Sequence, residues 1–363
     1  MSHFTVMVVG VNPAAQLQPF HEFECTGNDD EYVVEQDRTA DAREDWETKT
    51  LTRVVLPSGE VLSDYDDRFY RVPTDAEKKT IGPITGTGCG QGLSWCSKDW
   101  KDGMGYQTRV RDLSVIPGAK EIDMPAKQVY PNVAEYLEAW RGVSVVKACQ
   151  VPVLQGDHKY GYAQLNAAGD LEKVVRRTNP NAQWDWYRLG GRWRDYFTLK
   201  SGGFADSARI QDIDFEAMQR GARTRARTLY TSIALGMGGS IPRLPKTWER
   251  VQEESDNIEQ ARESYHAQPE VREFKDVCNK LGRHFESLSD WQLSEDEYVE
   301  QAALSAIPTF ALIKDGQWYE RGGMGWWACV SDEKDIGDWA KEFLAHITRL
   351  PQDTVLSVYD CHI

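Results

Sequence analysis

Positive charge is scarce in this 363-residue chain: 42 lysines and arginines face 57 aspartates and glutamates, a formal net charge of −15. That balance argues against general nucleic-acid binding, which needs basic surface to displace counterions. Long apolar runs are also absent, and nothing approaches the 18 consecutive apolar residues of a membrane span. The opening "MSHFTVMVVG" has neither the basic nor the apolar region of a signal peptide, so the expectation is a soluble, cytoplasmic protein without membrane association. Cysteines number seven and are scattered. An odd count with no C-x-x-C argues against a disulfide framework or a structural zinc site. There is no G-x-x-x-x-G-K-[ST], no H-E-x-x-H and no G-x-S-x-G. No cofactor or resident metal is expected, and no standard catalytic motif declares a reaction.

What the chain does contain is unevenly placed. Residues 22–71 carry 15 acids and 6 bases, and residues 251–304 carry 14 acids and 5 bases. Between them, residues 171–250 carry 15 bases and 8 acids. Within this basic island lies "NAQWDWYRLGGRWRDYF" (181–197), where tryptophans, arginines and a Gly-Gly pair are interleaved. Guanidinium forks suit phosphate or carboxylate, and flat indoles stack bases. The same composition also suits a core cap, since aromatic clusters usually pack interiors.

Patterning predicts an α+β fold. Apolar, β-branched runs at 3–10 and 354–363 read as buried strands that share one sheet. Hairpins are expected around Pro57-Ser58-Gly59, within 156–171, and over 308–320 with a turn at Asp315-Gly316. Helices are expected over 133–142 and 333–350. Residues 214–304 are mostly helical in pattern. The expected organisation is a mixed or antiparallel sheet core from 1–213 and 305–363, interrupted by a helical insertion over 214–304.

Candidate site residues follow from these placements. Arg188, Arg192 and Arg194 are the expected phosphate contacts, with Trp186, Trp193 or Trp326 stacking a base. Downstream, Asp206 is positioned to orient Arg192, and Arg209 extends the set. Glu320 precedes a second Gly-rich, Trp-flanked loop that contains Trp326. For acid–base chemistry the candidates are His3, His21 and Glu22; Glu22 and Glu24 share one face of an extended segment and suit a divalent cation. Strands 3–10 and 354–363 are expected to separate His3 from His362, so no dyad of the two is anticipated.

His3 and Thr5 form a His-x-Thr element on an apparent strand. This resembles half of the paired motif of two-histidine phosphoesterases, which bind and cleave phosphodiesters. A second copy, His346 and Thr348, falls at the end of an expected helix and not on a strand, which departs from that family's pattern. On a larger scale, "MSHFTV", "HEFECTG", "NPNAQWDWYRLGGRW", "DSARIQDIDF", "ERGGMGWW" and "DCHI" together look like a family of uncharacterised proteins of bacteriophages and mobile elements. That resemblance implies a phage or prophage origin and action in the host bacterial cytoplasm. The expected function is binding of a nucleotide-type phosphate ligand, with sequestration or phosphodiesterase-type hydrolysis, to counter a host defence. One alternative is an acidic inhibitor that binds a host defence protein as a nucleic-acid mimic; another is a metal-dependent hydrolase.

Overall fold

The apolar runs at the two ends of the chain become the central pair of one sheet. A computed structural model describes residues 3–72, 74, 93–95, 108–147, 150, 155–282, 288–325 and 329–363. Trp326, Cys89, Cys96 and most of the glycine-rich 81–106 region lie outside these residues. The fold is α+β, as its patterning predicts. Contacts divide the chain into two compact units, Met1–Val33 with Asn179–Ile363, and Val34–Thr178. The segment 34–178, which the sequence reading joins to the core, thus forms a unit with sheets of its own, and the helical 214–304 segment lies in the first unit.

Strand β1 (His3–Val9) opens the first unit. The chain then enters the second unit through β2 (Val34–Asp37) and helix α1 (Thr39–Thr48). Helix α2 (Val133–Ala139) and the hairpin β3 (Gly161–Leu165) and β4 (Leu171–Thr178) complete its main layer. The strands run β2-β4-β3, and the buried faces of Tyr136, Leu137, Ala163 and Val174 meet in one cluster. A separate hairpin, Thr50–Val55 with Val61–Ser63, turns through Pro57-Ser58-Gly59, and Gly59 supplies the left-handed φ of 84°.

The chain returns to the first unit with β5 (Trp186–Leu189) and β6 (Ser207–Arg209). Helix α3 (Phe215–Gly236) follows, capped by the Asp214 carboxylate, which accepts the Ala217 N–H. Helices α4 (Pro269–Lys280) and α5 (Glu295–Leu304) belong to the same helical segment. This segment buries its own cluster, including Ile233, Phe274 and Trp291. Strands β7 (Ala311–Lys314) and β8 (Gln317–Glu320) form a hairpin across Asp315-Gly316. Both loop residues have positive φ, 53° and 75°, as a two-residue type I′ connection demands. Helix α6 (Ile336–Ile347) and β9 (Val355–His362) end the chain.

The sheet order is β5-β9-β1-β7-β8, with β6 also paired to β9. Both of its faces are covered, which is why β1 and β9 read as continuous apolar runs. On one face Met7, Val9, Leu356 and Val358 meet Trp339, Phe343 and Ile347 of α6. On the other, Phe4, Val6, Val8, Tyr359 and Cys361 meet Leu17, Phe20 and Trp184. Side-chain alternation along β1 and β9 continues the α6-side face past its apolar part, to Thr5 and His3 on β1 and to Asp360 and His362 on β9.

Candidate functional site

Strand β1 runs antiparallel to β9 with His3 directly opposite His362 and Thr5 opposite Asp360. The expected separation of the two histidines is thereby overturned. In an antiparallel pair the first residues of one strand face the last residues of the other. On the far side of β9, Trp186 stands opposite His362 and Arg188 opposite Asp360. One polar row therefore runs Trp186, His362, His3, and the next runs Arg188, Asp360, Thr5.

The two imidazoles lie 4.9 Å apart between ring centroids, edge to face. His3 Nδ1 is 2.8 Å from the Asp360 carboxylate, and His362 Nδ1 is 2.7 Å from that of Asp185. A carboxylate at Nδ1 makes that nitrogen the donor and leaves Nε2 to accept or deliver a proton. His362 Nε2 is buried and has no hydrogen-bond partner among the described residues. The Trp186 ring stacks on His362 at 5.4 Å and meets His3 edge-on at 5.2 Å, so it roofs the pair while remaining 43% exposed itself.

The Gly190-Gly191 turn is what allows Asp360 to stand where it does. Both glycines have left-handed φ, 67° and 52°. A Cβ on Gly191 would collide with the Asp360 side chain, and one on Gly190 would collide with Asp206. The close approach lets the Arg192 backbone N–H donate to Asp360 Oδ2 at 3.0 Å. Asp360, 2% exposed, thus holds both the turn and His3. Gly191→Ala should cost about 1–3 kcal/mol through strain at this site, plus the displacement of Asp360. Gly59 is also left-handed but has open space around its missing Cβ. Chemical denaturation of both alanine variants checks this: Gly191→Ala should lose clearly more stability than Gly59→Ala.

Asp206 does not orient Arg192. Its carboxylate accepts the Tyr196 N–H at 3.2 Å and lies against Gly190, and no ion pair joins it to Arg192 among the described residues. The side chains of Arg188, Arg192, Arg194 and Arg209 are exposed and make no ion pair or hydrogen bond among the described residues. Arg188 shares the histidine face, and Arg192 and Arg194 follow the Gly-Gly turn. Arg209 is opposite Val355, whose alternation puts it on the other face of the sheet, away from the pair. Trp193 is half-buried in the turn, its backbone N–H donating to the Gly190 carbonyl at 2.9 Å.

Other expected members go elsewhere. His21 is fully buried, with Nδ1 2.9 Å from Thr26 Oγ1 and Nε2 3.2 Å from Asp30 Oδ1. Both ring nitrogens are engaged, so His21 braces the 18–32 segment and has none left for proton transfer. Glu320 accepts the Trp318 indole N–H at 2.9 Å on β8, two strands beyond β1 and so roughly 10 Å from it. Its register opposite Ala311, which pairs with Val6, also sets it apart from the histidine pair. Trp326 lies outside the described residues. His346 sits on α6 with its ring 4.1 Å from that of Tyr319, so His346 and Thr348 do not form a second strand-borne half-motif.

Burial pushes the Asp30 carboxyl up, but hydrogen bonds from Gln18 and His21 outweigh it and leave its pKa below the ordinary 3.8. A depressed carboxylate stabilises the fold above its unfolded pKa, and that contribution is lost as pH falls through the folded value. The wild type should therefore melt above Asp30→Asn at neutral pH and lose that advantage below 3.8. Melting curves of the two proteins across this range check the sign.

Glu22 is half-buried beside the pair. One oxygen of Glu22, the Cys25 sulfur and one oxygen of Asp185 all lie within 4.8 Å of one another, a geometry able to hold a metal ion. Glu24 is not part of this group. Burial, then a hydrogen bond to Glu22 and the neighbouring Glu22, Asp185 and Glu24 charges, push the Cys25 thiol up to about 11. The protonated thiol is a poor nucleophile at neutral pH.

No family model matches the chain, and neither does any curated protein or solved structure. Sequence reasoning missed Asp185, Asp360 and His362. The signal for them was present in the two strand-like termini: antiparallel pairing of 3–9 with 355–362 brings "DCHI" to "SHFT".

Proposed function

We propose that this site binds a nucleotide-type phosphate ligand and cleaves a phosphodiester by general acid–base catalysis at His3 and His362. The observation that carries this reading is the unpartnered, buried Nε2 of His362 beside a second imidazole, each ring held by its own carboxylate. A buried polar atom without a partner costs about 1–3 kcal/mol, and a purely structural histidine gives no return for that cost. In the reaction, one Nε2 takes the proton of the attacking hydroxyl or water, and the other delivers a proton to the leaving oxygen. Asp360 and Asp185 hold the rings in the required tautomer. Arg188 and Arg192, without acidic partners among the described residues, bind the phosphate oxygens, and Trp186 moves from the histidines to stack the base. A phage-encoded protein with this chemistry would remove a nucleotide signal on which a host defence depends.

The test is a thermal-shift panel of mono-, di- and cyclic nucleotides with product analysis by mass spectrometry. A stabilising nucleotide recovered cleaved supports the proposal, and one recovered intact reduces it to sequestration. No shift and no product with any nucleotide overturns it. Cleavage abolished by chelation and restored by a divalent metal would transfer the chemistry to the Glu22, Cys25 and Asp185 group.

A further inference from the structure

The second unit carries a cleft of about 320 Å³ that the histidine site does not use. Its walls come from the start of α1, the segment after α2, and the β3–β4 hairpin. Each element contributes one arginine: Arg38, Arg141 and Arg176. Asp41 is the single acidic residue of the lining among the described residues, although the surrounding sequence is among the most acidic in the chain. Leu137, Val143, Val174 and Val175 give the lining an apolar part, and Tyr160 also lines it.

We infer that this cleft is a binding site for a small amphipathic anion: a phosphate monoester or carboxylate on a ring-sized apolar body. Pockets of roughly 300 Å³ and above suit such molecules, which bury an apolar part and are oriented by a few polar groups. Three arginines from separate elements line the cleft together with apolar Leu137, Val143, Val174 and Val175. The present carboxylate contacts are replaceable. Arg38 meets Asp41 at 3.0 Å with both side chains about half exposed, and Arg141 meets Asp45 at 2.9 Å with its own side chain 48% exposed. The exposed Arg38–Asp41 pair holds weakly, so a ligand anion can take over the Arg38 guanidinium without breaking a buried bridge. Arg38, Asp41 and Ala42 also bring the first turn of α1 to the rim, where helical N–H groups favour negative charge. This inference is independent of the histidine site.

Isothermal titration of the full chain with phenyl phosphate, benzoate and phenol tests it. Binding of either anion without binding of phenol supports the proposal, and the tighter anion identifies phosphate or carboxylate as the preferred head group. The Arg38→Gln/Arg141→Gln double variant should weaken that binding at least about tenfold, the effect of losing one charge-assisted hydrogen bond. Arg68→Gln, an exposed arginine of the same unit outside the cleft, should leave it unchanged. If the double variant does not fold, Arg38→Gln alone decides, because its ion pair is exposed. Failure of both anions to bind, equal binding of phenol, or undiminished binding in the arginine variant overturns the proposal.

Discussion

His362→Ala should abolish most cleavage of a nucleotide substrate, lowering kcat by about 10²–10⁴-fold, the usual worth of a positioned acid or base. His3→Ala should fall in the same range. The double variant should fall little further, because two groups that serve one proton relay are not additive. The stability of these variants separates a working site from a structural one. Removing His362 also removes a buried nitrogen that has no partner, so the loss of its Asp185 bond is partly offset. A variant that melts near the wild type yet has lost its activity fits the acid–base assignment. One that loses stability heavily while retaining turnover would show that the imidazole only fills space. Steady-state kinetics beside thermal melts of the three variants give the answer.

Trp339→Ala should destabilise the first unit by about 3–5 kcal/mol, the range for emptying a large aromatic site in a core. Trp339 is 1% exposed, packs edge-on against Phe343, and donates its indole N–H to the Thr309 carbonyl at 2.8 Å. Alanine would leave both a cavity and an orphaned carbonyl. Thr309 in turn accepts the Met7 N–H on its hydroxyl, so the damage reaches β1, which carries His3. Lys341→Ala, on the exposed side of the same helix, should change stability by less than about 0.5 kcal/mol. Urea unfolding followed by circular dichroism distinguishes the two. Equal losses would mean that α6 is not anchored through its apolar face.

Much of the first unit was legible because its elements declare themselves locally. The β-branched runs at 3–9 and 355–362, the Asp-Gly turn at 315–316, and Trp339, Ala340, Phe343 and Ile347 at helical spacing all state their structure within a few residues. The unit boundary at 33 and 178 was harder to read, because no proline-rich or low-complexity stretch marks it and it follows from which strands pair. The site was half legible. Trp186, Arg188, Arg192 and His3 stand out as residue types, and their gathering on one sheet face follows the strands on which they lie.

By itself, the sequence determined the α+β class, the terminal strands, the acidic balance and the concentration of aromatics, arginines and glycines at 181–197. These are properties of composition and short-range periodicity, which do not depend on distant partners. Tertiary structure alone decided that His3 faces His362, that Asp206 and Asp360 close on Gly190 and Gly191 of the turn, and that His21 is spent in a buried bracket. The reason is register: a pairing between residues more than 350 positions apart in sequence is set by the antiparallel ladder and by packing on both faces of the sheet. No local pattern specifies which side chain will stand opposite which.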